Sequence, residues 1–214
     1  DILIIGSGAT GLSAALTAAE SGAKIILADE DFLMGGRLNS ETNKIDGISG
    51  SEWAKKTVAK LGVMENVTLM SDTTIFGAYD HGIYGAIENR ASEAREVNDK
   101  PRQVNWRIYT KRAILCAGAT ERLIAFCNND RPGIMLASAV RTYLNRFAVA
   151  TGQKISVYTN NDDGWKTAKD FNAKGFRVVA VIDSRTIRPP MRVPGAEVYM
   201  GTDVIDTKGR RAIK

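Results

Sequence analysis

Six residues near the start of the chain have the types and spacing of a phosphate-binding turn. The segment GSGATG, residues 6–11, matches the pattern G-x-G-x-x-G. In such a turn Gly6 permits a tight bend, Gly8 lets the backbone approach a pyrophosphate, and Gly11 lets the following helix pack on the preceding strand. The helix N-terminus then offers N–H groups and the positive end of its dipole to the phosphates. These three glycines are therefore candidate cofactor-binding residues.

The elements around this turn are those of a dinucleotide-binding unit. The apolar runs ILII (2–5) and KIILA (24–28) are typical of buried parallel strands, and the small residues between them predict a helix from about Thr10 to Ser21. Asp29 and Glu30 follow the second strand, where a carboxylate accepts hydrogen bonds from ribose hydroxyls and repels a 2′-phosphate. The pattern favours NAD or FAD over NADP, and a tight turn without ligand is the alternative.

A glycine pair, Gly35 and Gly36, follows the acidic residues. Gly36 and Arg37 end the segment GGR, residues 35–37. Arg37 is placed to bring a guanidinium to the phosphates, since arginine binds phosphate oxygens through two parallel N–H groups. A surface arginine with no ligand is the alternative interpretation.

The middle of the chain predicts two helices, a hairpin and further strands. The hairpin over 74–89 turns at Asp80-His81-Gly82. The polar segment 91–103 predicts a mobile connection. The other elements predicted are a helix over 51–62, strands over 67–70 and 106–119, and a helix over 136–148.

A strand-turn-helix-strand order recurs late in the chain with an altered turn. Thr159 replaces the first glycine and Asn161 the second, while Gly164, needed for packing, is kept. Asp162 and Asp163 are suited to the start of a helix but would repel a phosphate. The second unit is therefore predicted to keep the fold without binding nucleotide in its turn.

These elements predict an α/β protein with a Rossmann-like FAD/NAD(P)-binding fold. The parallel sheet carries a β-hairpin or meander insertion over 74–110. A dinucleotide-binding domain is predicted over 1–149, and a second Rossmann-like domain, incomplete, over 150–214. Because residue 1 leads directly into a strand and the last residues read as the start of another, we expect an internal part of a longer chain.

Composition limits the classes of function. The protein has 44% hydrophobic and 25% charged residues, as ordinary globular proteins do. Its net charge of +5 is spread along the sequence, so nucleic-acid binding is poorly supported. The sequence has no apolar run long enough for a membrane span and no visible signal peptide. Cys116 and Cys127 form no C-x-x-C motif and are predicted to be reduced thiols of a cytoplasmic protein.

Few other residues suggest chemistry, and no catalytic or metal-ligating residue is predicted. His81, the only histidine, lies in the hairpin turn beside Asp80, which together with Tyr79 is expected to shape that turn. Proton transfer by His81 stays an open alternative. Three arginines are expected either to line a channel or a subunit contact or to lie on a solvated surface. They are Arg122, Arg131 and Arg141.

Longer segments resemble a known group of flavoproteins. The motifs GSGATG, ADE and GGRL, with TKRAILCAGATER, resemble the two-dinucleotide-binding-domain flavoprotein superfamily. The segments TTIFGAYDHGIYGAIENR, PRQVNWRI and NDRPGIMLASAVRTYLNRFAVATGQKISVYTNNDDGWKTA more specifically resemble the alpha subunits of heterotetrameric sarcosine oxidases. This resemblance runs through most of the chain.

The resemblance implies that the first unit binds NAD⁺ rather than FAD. In the family this NAD⁺ has no established redox role, so a structural role and a redox role are both left open here. The family often has proline where this chain has Thr10, a difference we expect to be harmless. The cofactor contacts that the resemblance implies are Thr10, Asp29, Glu30, Asp31, Arg37 and, near the adenine, Ile75.

The resemblance also implies partners and a reaction. The partners would be beta, gamma and delta subunits, with FAD and covalent FMN on or near the beta subunit. The assembly would oxidise sarcosine to glycine with oxygen, giving peroxide and a one-carbon unit, formaldehyde or methylenetetrahydrofolate; the segment alone is expected to be inactive. The alternatives are a stand-alone FAD-dependent amine or amino-acid dehydrogenase domain and a cofactor-free scaffold.

Overall fold

The computed structural model describes residues 1–90, 101–187, 189–210 and 212–213. The chain forms two compact units, one of Asp1–Asn39 with Asn43–Ala119 and one of Ser40–Thr42 with Thr120–Lys214. The helices and strands of the first unit are β1 (Ile2–Ile5), α1 (Ala9–Glu20), β2 (Ile25–Ala28), β3 (Lys44–Ile45), β4 (Ile48–Ser49), α2 (Gly50–Gly62), β5 (Val67–Met70), β6 (Thr73–Tyr79), β7 (Ile83–Asn89), β8 (Gln103–Tyr109) and β9 (Arg112–Leu115). Those of the second are α3 (Ala137–Arg146), β10 (Lys154–Thr159), α4 (Asp162–Ala173), β11 (Arg177–Asp183) and β12 (Glu197–Met200).

A parallel sheet of order β5-β2-β1-β9 forms the centre of the first unit. Ile2 of β1 lies opposite Ile25 of β2 on one side and Arg112 of β9 on the other. The glycine turn and the acidic residues therefore follow neighbouring strands at the same edge of the sheet, where α/β proteins bind ligands. The predicted α/β fold with a parallel sheet is confirmed.

Small residues let helix α1 lie close to this sheet. Gly11, Leu12, Ala15 and Ala19 are its buried residues. Side chains from β1, β2 and α2 complete the same hydrophobic core, among them Ile4, Ile25, Leu27, Ala54 and Leu61. Because a well-packed core holds both strand ends in place, it also fixes the positions of the turn and the acidic residues.

The other predicted elements of the first unit are present, except that the strand predicted over 106–119 is divided into β8, which ends at Tyr109, and β9, which ends at Leu115. Helix α2 begins where Ser49 accepts a hydrogen bond from the Glu52 N–H at 3.3 Å. Strands β6, β7 and β8 form an antiparallel sheet whose first turn lies at Asp80–Gly82, as predicted. The predicted connection over 91–103 falls largely outside the described residues. Within the described part of the chain, no helix is long and apolar enough to cross a membrane.

The second unit contains the predicted second strand-helix-strand. Strands β10, β11 and β12 form a parallel sheet in that order. Helix α3, which the sequence analysis assigned to the first domain, packs against α4 in this unit. The compact units accordingly divide at Ala119 rather than at residue 149, and the domain limits drawn from the sequence stay a prediction.

Candidate nucleotide-binding site

Two glycines of the first turn are required by the protein's own packing. Gly6 has a φ of +98°, and a Cβ at this position would lie 2.5 Å from the carbonyl oxygen of Cys116, just after β9. A Cβ on Gly11 would overlap the carbonyl oxygen of Gly6. Since atoms cannot approach so closely, the bend at the end of β1 and the position of α1 both depend on glycine here.

Gly8 differs because nothing in the protein excludes a side chain there. No atom lies within 4 Å of the position that a Cβ would occupy. Its φ of −63° and ψ of −175° are accessible to any residue. The turn therefore has an open side at Gly8, which fits the close approach of a pyrophosphate. Gly36 lies next to Gly8, since a Cβ on Gly36 would be 3.1 Å from the Gly8 Cα.

The N-terminus of α1 is left without a side-chain cap. Gly8 is the N-cap residue, no side chain accepts a hydrogen bond there, and the first turn contains no acidic residue. The first intrahelical bond runs from the Leu12 N–H to the Gly8 carbonyl at 2.9 Å. The N–H groups before Leu12 have no partner inside the helix, so this end can donate to an anion. Thr10 is exposed in the same turn.

The carboxylate of Asp29 lies beside the turn and is held by the protein. Asp29 is only 9% exposed, whereas Glu30 is exposed. The Asp29 Oδ2 accepts hydrogen bonds from the N–H and the hydroxyl of Ser7, at 2.5 and 2.6 Å, and its Oδ1 accepts from the Asp31 N–H at 2.9 Å. A ribose would therefore meet an already oriented Asp29 and a solvated Glu30.

The remaining predicted contacts lie on segments that follow β2 and β5. Arg37 is exposed in a short 3-10 helix over Gly36–Asn39. Ile75 is half-buried against the cluster of Leu3, Ala86 and Ile108. The Thr73 N–H donates to the Asp29 carbonyl at 2.8 Å, which attaches the start of β6 to the end of β2. The segments that carry the predicted residues thus leave the sheet at one edge, and the contacts of these residues with a cofactor remain a prediction.

Ser7, which is fully buried at this edge, was not predicted as a site residue. Its hydroxyl donates to Asp29 and accepts from the Gly35 N–H at 2.9 Å. The only local signal is a hydroxyl between the first two glycines, a position that the glycine pattern leaves free. Its contacts join residues that are 22 and 28 positions apart, so no local pattern could identify them.

Other candidate residues lie away from this edge or have structural partners. His81 is exposed in the hairpin turn with a φ of 60° and a ψ of 28°. Arg141, considered for a channel or a surface, is 3% exposed and donates to Asp170 at 3.1 Å, so both of those interpretations are wrong. Burial raises the pKa of the Cys116 thiol, which favours the protonated, uncharged thiol over the thiolate. Cys127 is exposed.

The turn of the second unit is closed by its own side chains. The Asn161 side chain accepts from the Asp163 N–H at 2.9 Å and so caps α4. A Cβ on Gly164 would overlap the Thr159 side chain, which explains why glycine is kept there.

An arginine occupies the region beside this second turn. Arg185 donates to Asp162 at 2.9 Å and to Asp183, the counterpart of Asp29, at 2.8 Å. The indole of Trp165 also donates to Asp183, at 2.7 Å. These bonds raise the pKa of the Arg185 guanidinium, and because Asp183 is fully buried they fix its carboxylate inside the unit.

Comparison with known proteins agrees with the geometry of the first turn. A model of the FAD dependent oxidoreductase family matches residues 1–114, more than half of the chain. The chain belongs to this family. Membership of a family named for its dependence on FAD supports flavin or nucleotide binding by this chain.

The curated relatives that the chain matches are larger proteins. The chain is 43% identical over 214 residues to the sarcosine oxidase subunit alpha of Rhizobium meliloti (strain 1021) and 39% identical over 223 residues to that of Corynebacterium sp. (strain P-1). These matches cover 100% and 99% of the chain but 22% of each relative. The chain thus spans about a fifth of the length of the curated relatives it matches, and the expected resemblance is confirmed.

Solved structures share the fold of this chain. L-proline dehydrogenase from P. horikoshii superposes with a TM-score of 0.68 at 23% identity, covering 90% of this chain and 37% of that one. Lactococcus lactis thioredoxin reductase superposes with a TM-score of 0.70 at 20% identity, covering 100% of this chain and 68% of that one. At such identities the likeness concerns the fold alone.

Proposed function

We propose that this chain is the NAD⁺-binding portion of a sarcosine oxidase alpha subunit. The observation that carries the proposal is the first turn, where an uncapped helix N-terminus and the open side of Gly8 lie beside the carboxylate of Asp29. The helix N-terminus and the open side of Gly8 suit the phosphates, and the Asp29 carboxylate suits an adenosine ribose. The sarcosine oxidase alpha subunits at 43% and 39% identity supply the biological context.

Each predicted residue has a role in holding the dinucleotide. Gly6 and Gly11 shape the turn, Gly8 and Thr10 adjoin the pyrophosphate, and Gly36 with Arg37 borders it from the other side. Asp29 and Glu30 accept hydrogen bonds from the adenosine ribose, Asp31 supports that segment, and Ile75 contacts the adenine. The two carboxylates disfavour a 2′-phosphate, so the cofactor is NAD⁺ rather than NADP⁺.

The chain's own residues bind and orient the cofactor rather than carry out chemistry. A bound NAD⁺ supplies a nicotinamide ring that can accept a hydride, but the role proposed here is structural. No predicted site residue is a nucleophile or a general base aimed at a substrate. We therefore expect this segment alone not to oxidise sarcosine.

The reaction would belong to a larger assembly. In that assembly FAD and FMN lie on or near a beta subunit, and gamma and delta subunits complete the heterotetramer. It would oxidise sarcosine to glycine with O₂, giving H₂O₂ and a one-carbon unit. This part of the proposal comes from the relatives' names and from the family resemblance, since the chain spans about a fifth of those relatives.

The cofactor proposal is tested by identifying the nucleotide that the purified chain releases on denaturation. We expect a colourless protein that releases NAD⁺ in a 1:1 ratio, measured by chromatography and ultraviolet absorbance. A yellow protein with a flavin spectrum would contradict the NAD⁺ assignment. Peroxide formed from sarcosine by this chain alone would contradict the proposed dependence on other subunits.

A second candidate function is a stand-alone FAD-dependent amine or amino-acid dehydrogenase. It is favoured by the match of residues 1–114 to the FAD dependent oxidoreductase family. The glycine turn would then hold the ADP half of FAD, which NAD⁺ and FAD share. The same release experiment separates the two candidates, because FAD is coloured and NAD⁺ is not.

A further inference from the structure

Ser7 joins three segments of the candidate site through one hydroxyl. It lies between the first two glycines and is fully buried. Its hydroxyl donates to the Asp29 Oδ2 at 2.6 Å and accepts from the Gly35 N–H at 2.9 Å, while its backbone N–H donates to the same Oδ2 at 2.5 Å. The turn, the acidic strand end and the glycine pair are therefore connected at this side chain.

These bonds restrict the orientation of the Asp29 carboxylate. Two donors from Ser7 meet Oδ2, and the Asp31 N–H meets Oδ1 at 2.9 Å. An ionised carboxylate has about four lone-pair sites, so acceptor capacity remains for a ligand. Because its rotation is restrained before a ligand arrives, that capacity is directed in advance, which lowers the entropy lost on binding.

The Ser7 hydroxyl also holds the loop that borders Gly8. Gly35, with a φ of +132°, donates its N–H to this oxygen, and it immediately precedes Gly36. A Cβ on Gly36 would lie 3.1 Å from the Gly8 Cα, so this loop lies directly against the open side of the turn. The ribose side and the phosphate side of the candidate site thus depend on the same hydroxyl.

We propose that Ser7 is a positioning residue for nucleotide recognition. It orients the Asp29 carboxylate toward the 2′-hydroxyl of the adenosine ribose, and in this way determines the preference for a ribose with a free hydroxyl. The proposal rests on the proposed dinucleotide site but not on which dinucleotide fills it, because NAD⁺ and FAD share an ADP moiety.

The test compares ADP with 2′-deoxy-ADP on the full chain after bound nucleotide has been removed. Isothermal titration calorimetry gives the dissociation constants for the wild type and for Ser7→Ala. We expect Ser7→Ala to weaken ADP binding about tenfold and 2′-deoxy-ADP binding less than about threefold. The reason is that only ADP has the 2′-hydroxyl that would donate a hydrogen bond to Asp29. Ser7→Thr, which keeps a hydroxyl, should recover most of the loss. Ser13→Ala, on the exposed face of α1, is the matched control and should change neither constant.

Several outcomes would overturn the proposal. An equal loss for both nucleotides would show that Ser7 only supports the fold, and no loss for either would show that it has no role in binding. A wild type that binds neither nucleotide would refute the adenosine site together with the role of Ser7. If Ser7→Ala does not fold, the same measurement is made on Ser7→Cys, whose side chain is of similar size and a weaker hydrogen-bond donor. An equal loss for both nucleotides, or no loss for either, would again overturn the proposal.

Two outcomes separate this proposal from the proposed function. If the protein releases a flavin and Ser7→Ala still weakens ADP selectively, the NAD⁺ assignment fails while the positioning role stands. If the protein releases NAD⁺ and Ser7→Ala weakens the binding of ADP and 2′-deoxy-ADP equally, the NAD⁺ assignment stands while the positioning role fails.

Discussion

The three glycines of the first turn are alike in the sequence but are required for different reasons. Gly6 and Gly11 are constrained by backbone atoms of the protein, at distances no Cβ could tolerate. Gly8 has open space where its Cβ would be, and its backbone angles suit any residue. Glycine at position 8 therefore points to a ligand, whereas glycine at the other two positions is explained by the fold.

This difference predicts opposite effects of two similar substitutions. Gly8→Ala should lower the free energy of unfolding by no more than about 1 kcal/mol, the cost of alanine at an N-cap, yet weaken dinucleotide binding at least about tenfold, because the new methyl group occupies the pyrophosphate's position. Gly11→Ala should lower the free energy of unfolding by about 1–3 kcal/mol or more, since its methyl group overlaps the Gly6 carbonyl. Urea denaturation measures stability, and calorimetry with the released cofactor measures binding.

Normal dinucleotide binding by Gly8→Ala would contradict the placement of the phosphates at this turn. Normal stability of Gly11→Ala would show that α1 can move away from β1 without loss.

At the scale of the elements, the chain builds the same strand-turn-helix-strand twice and leaves only one turn open. Helix α1 has no side-chain cap and no acid in its first turn, whereas α4 is capped by Asn161 and begins with Asp162 and Asp163. In the second unit Arg185 joins Asp162 to Asp183, so a cation of the protein neutralises the carboxylates there. The second turn is therefore bridged by ion pairs between the protein's own side chains.

The buried Asp183 predicts a pH-dependent contribution to stability. Burial raises its pKa, but hydrogen bonds from Arg185 and Trp165 outweigh this and hold the pKa below its ordinary value. A carboxyl whose pKa is lowered by folding stabilises the folded protein fully at pH values above its pKa in the unfolded chain, about 3.9. This stabilisation is lost as the pH falls toward the pKa of the carboxyl in the folded protein. Asp183→Asn should therefore cost about 1–3 kcal/mol at pH 7 and progressively less below about pH 4.

The measurement is urea denaturation of the wild type and Asp183→Asn from pH 7 to pH 3. Asp46→Asn, at an exposed position, is the matched control and should leave stability unchanged throughout. A wild-type advantage that stays constant across this range would contradict the ionised state assigned to Asp183.

At the scale of the molecule, the two compact units have different expected relations to a cofactor. The first contains the open turn, the acidic strand end and the glycine pair, all within Asp1–Asn39. The second contains the closed turn between β10 and α4. One nucleotide per chain is the stoichiometry this division favours.

Hydrogen exchange followed by mass spectrometry would test this stoichiometry. Addition of NAD⁺ to the nucleotide-free chain should slow exchange in peptides covering residues 6–11 and 29–37. Peptides covering residues 159–164 should exchange at an unchanged rate, because Asp162 and Asp163 repel phosphate and their helix is already capped. Equal protection of both turns would contradict a single site.

Local patterns were sufficient for the parts of the fold that depend on neighbouring residues. Apolar runs identified β1 and β2, and the hairpin turn at Asp80–Gly82 lies where its residues predicted it. The glycine spacing identified the first turn, and its alteration at Thr159 and Asn161 identified the second. In each case the physical cause lies within a few residues, in backbone freedom, in side-chain periodicity or in helix capping.

Only the tertiary structure decided which distant side chains meet. It buried Arg141 against Asp170 and packed α3 on α4, although the sequence had suggested a surface or channel arginine and a different domain. It also placed Ser7 on Asp29 and Arg185 on Asp162, contacts across 22 and 23 residues. The sequence by itself determined where a nucleotide could bind, because the turn is local. Strand register and packing decided how its acidic partner is held, since those contacts exist only once the sheet has formed.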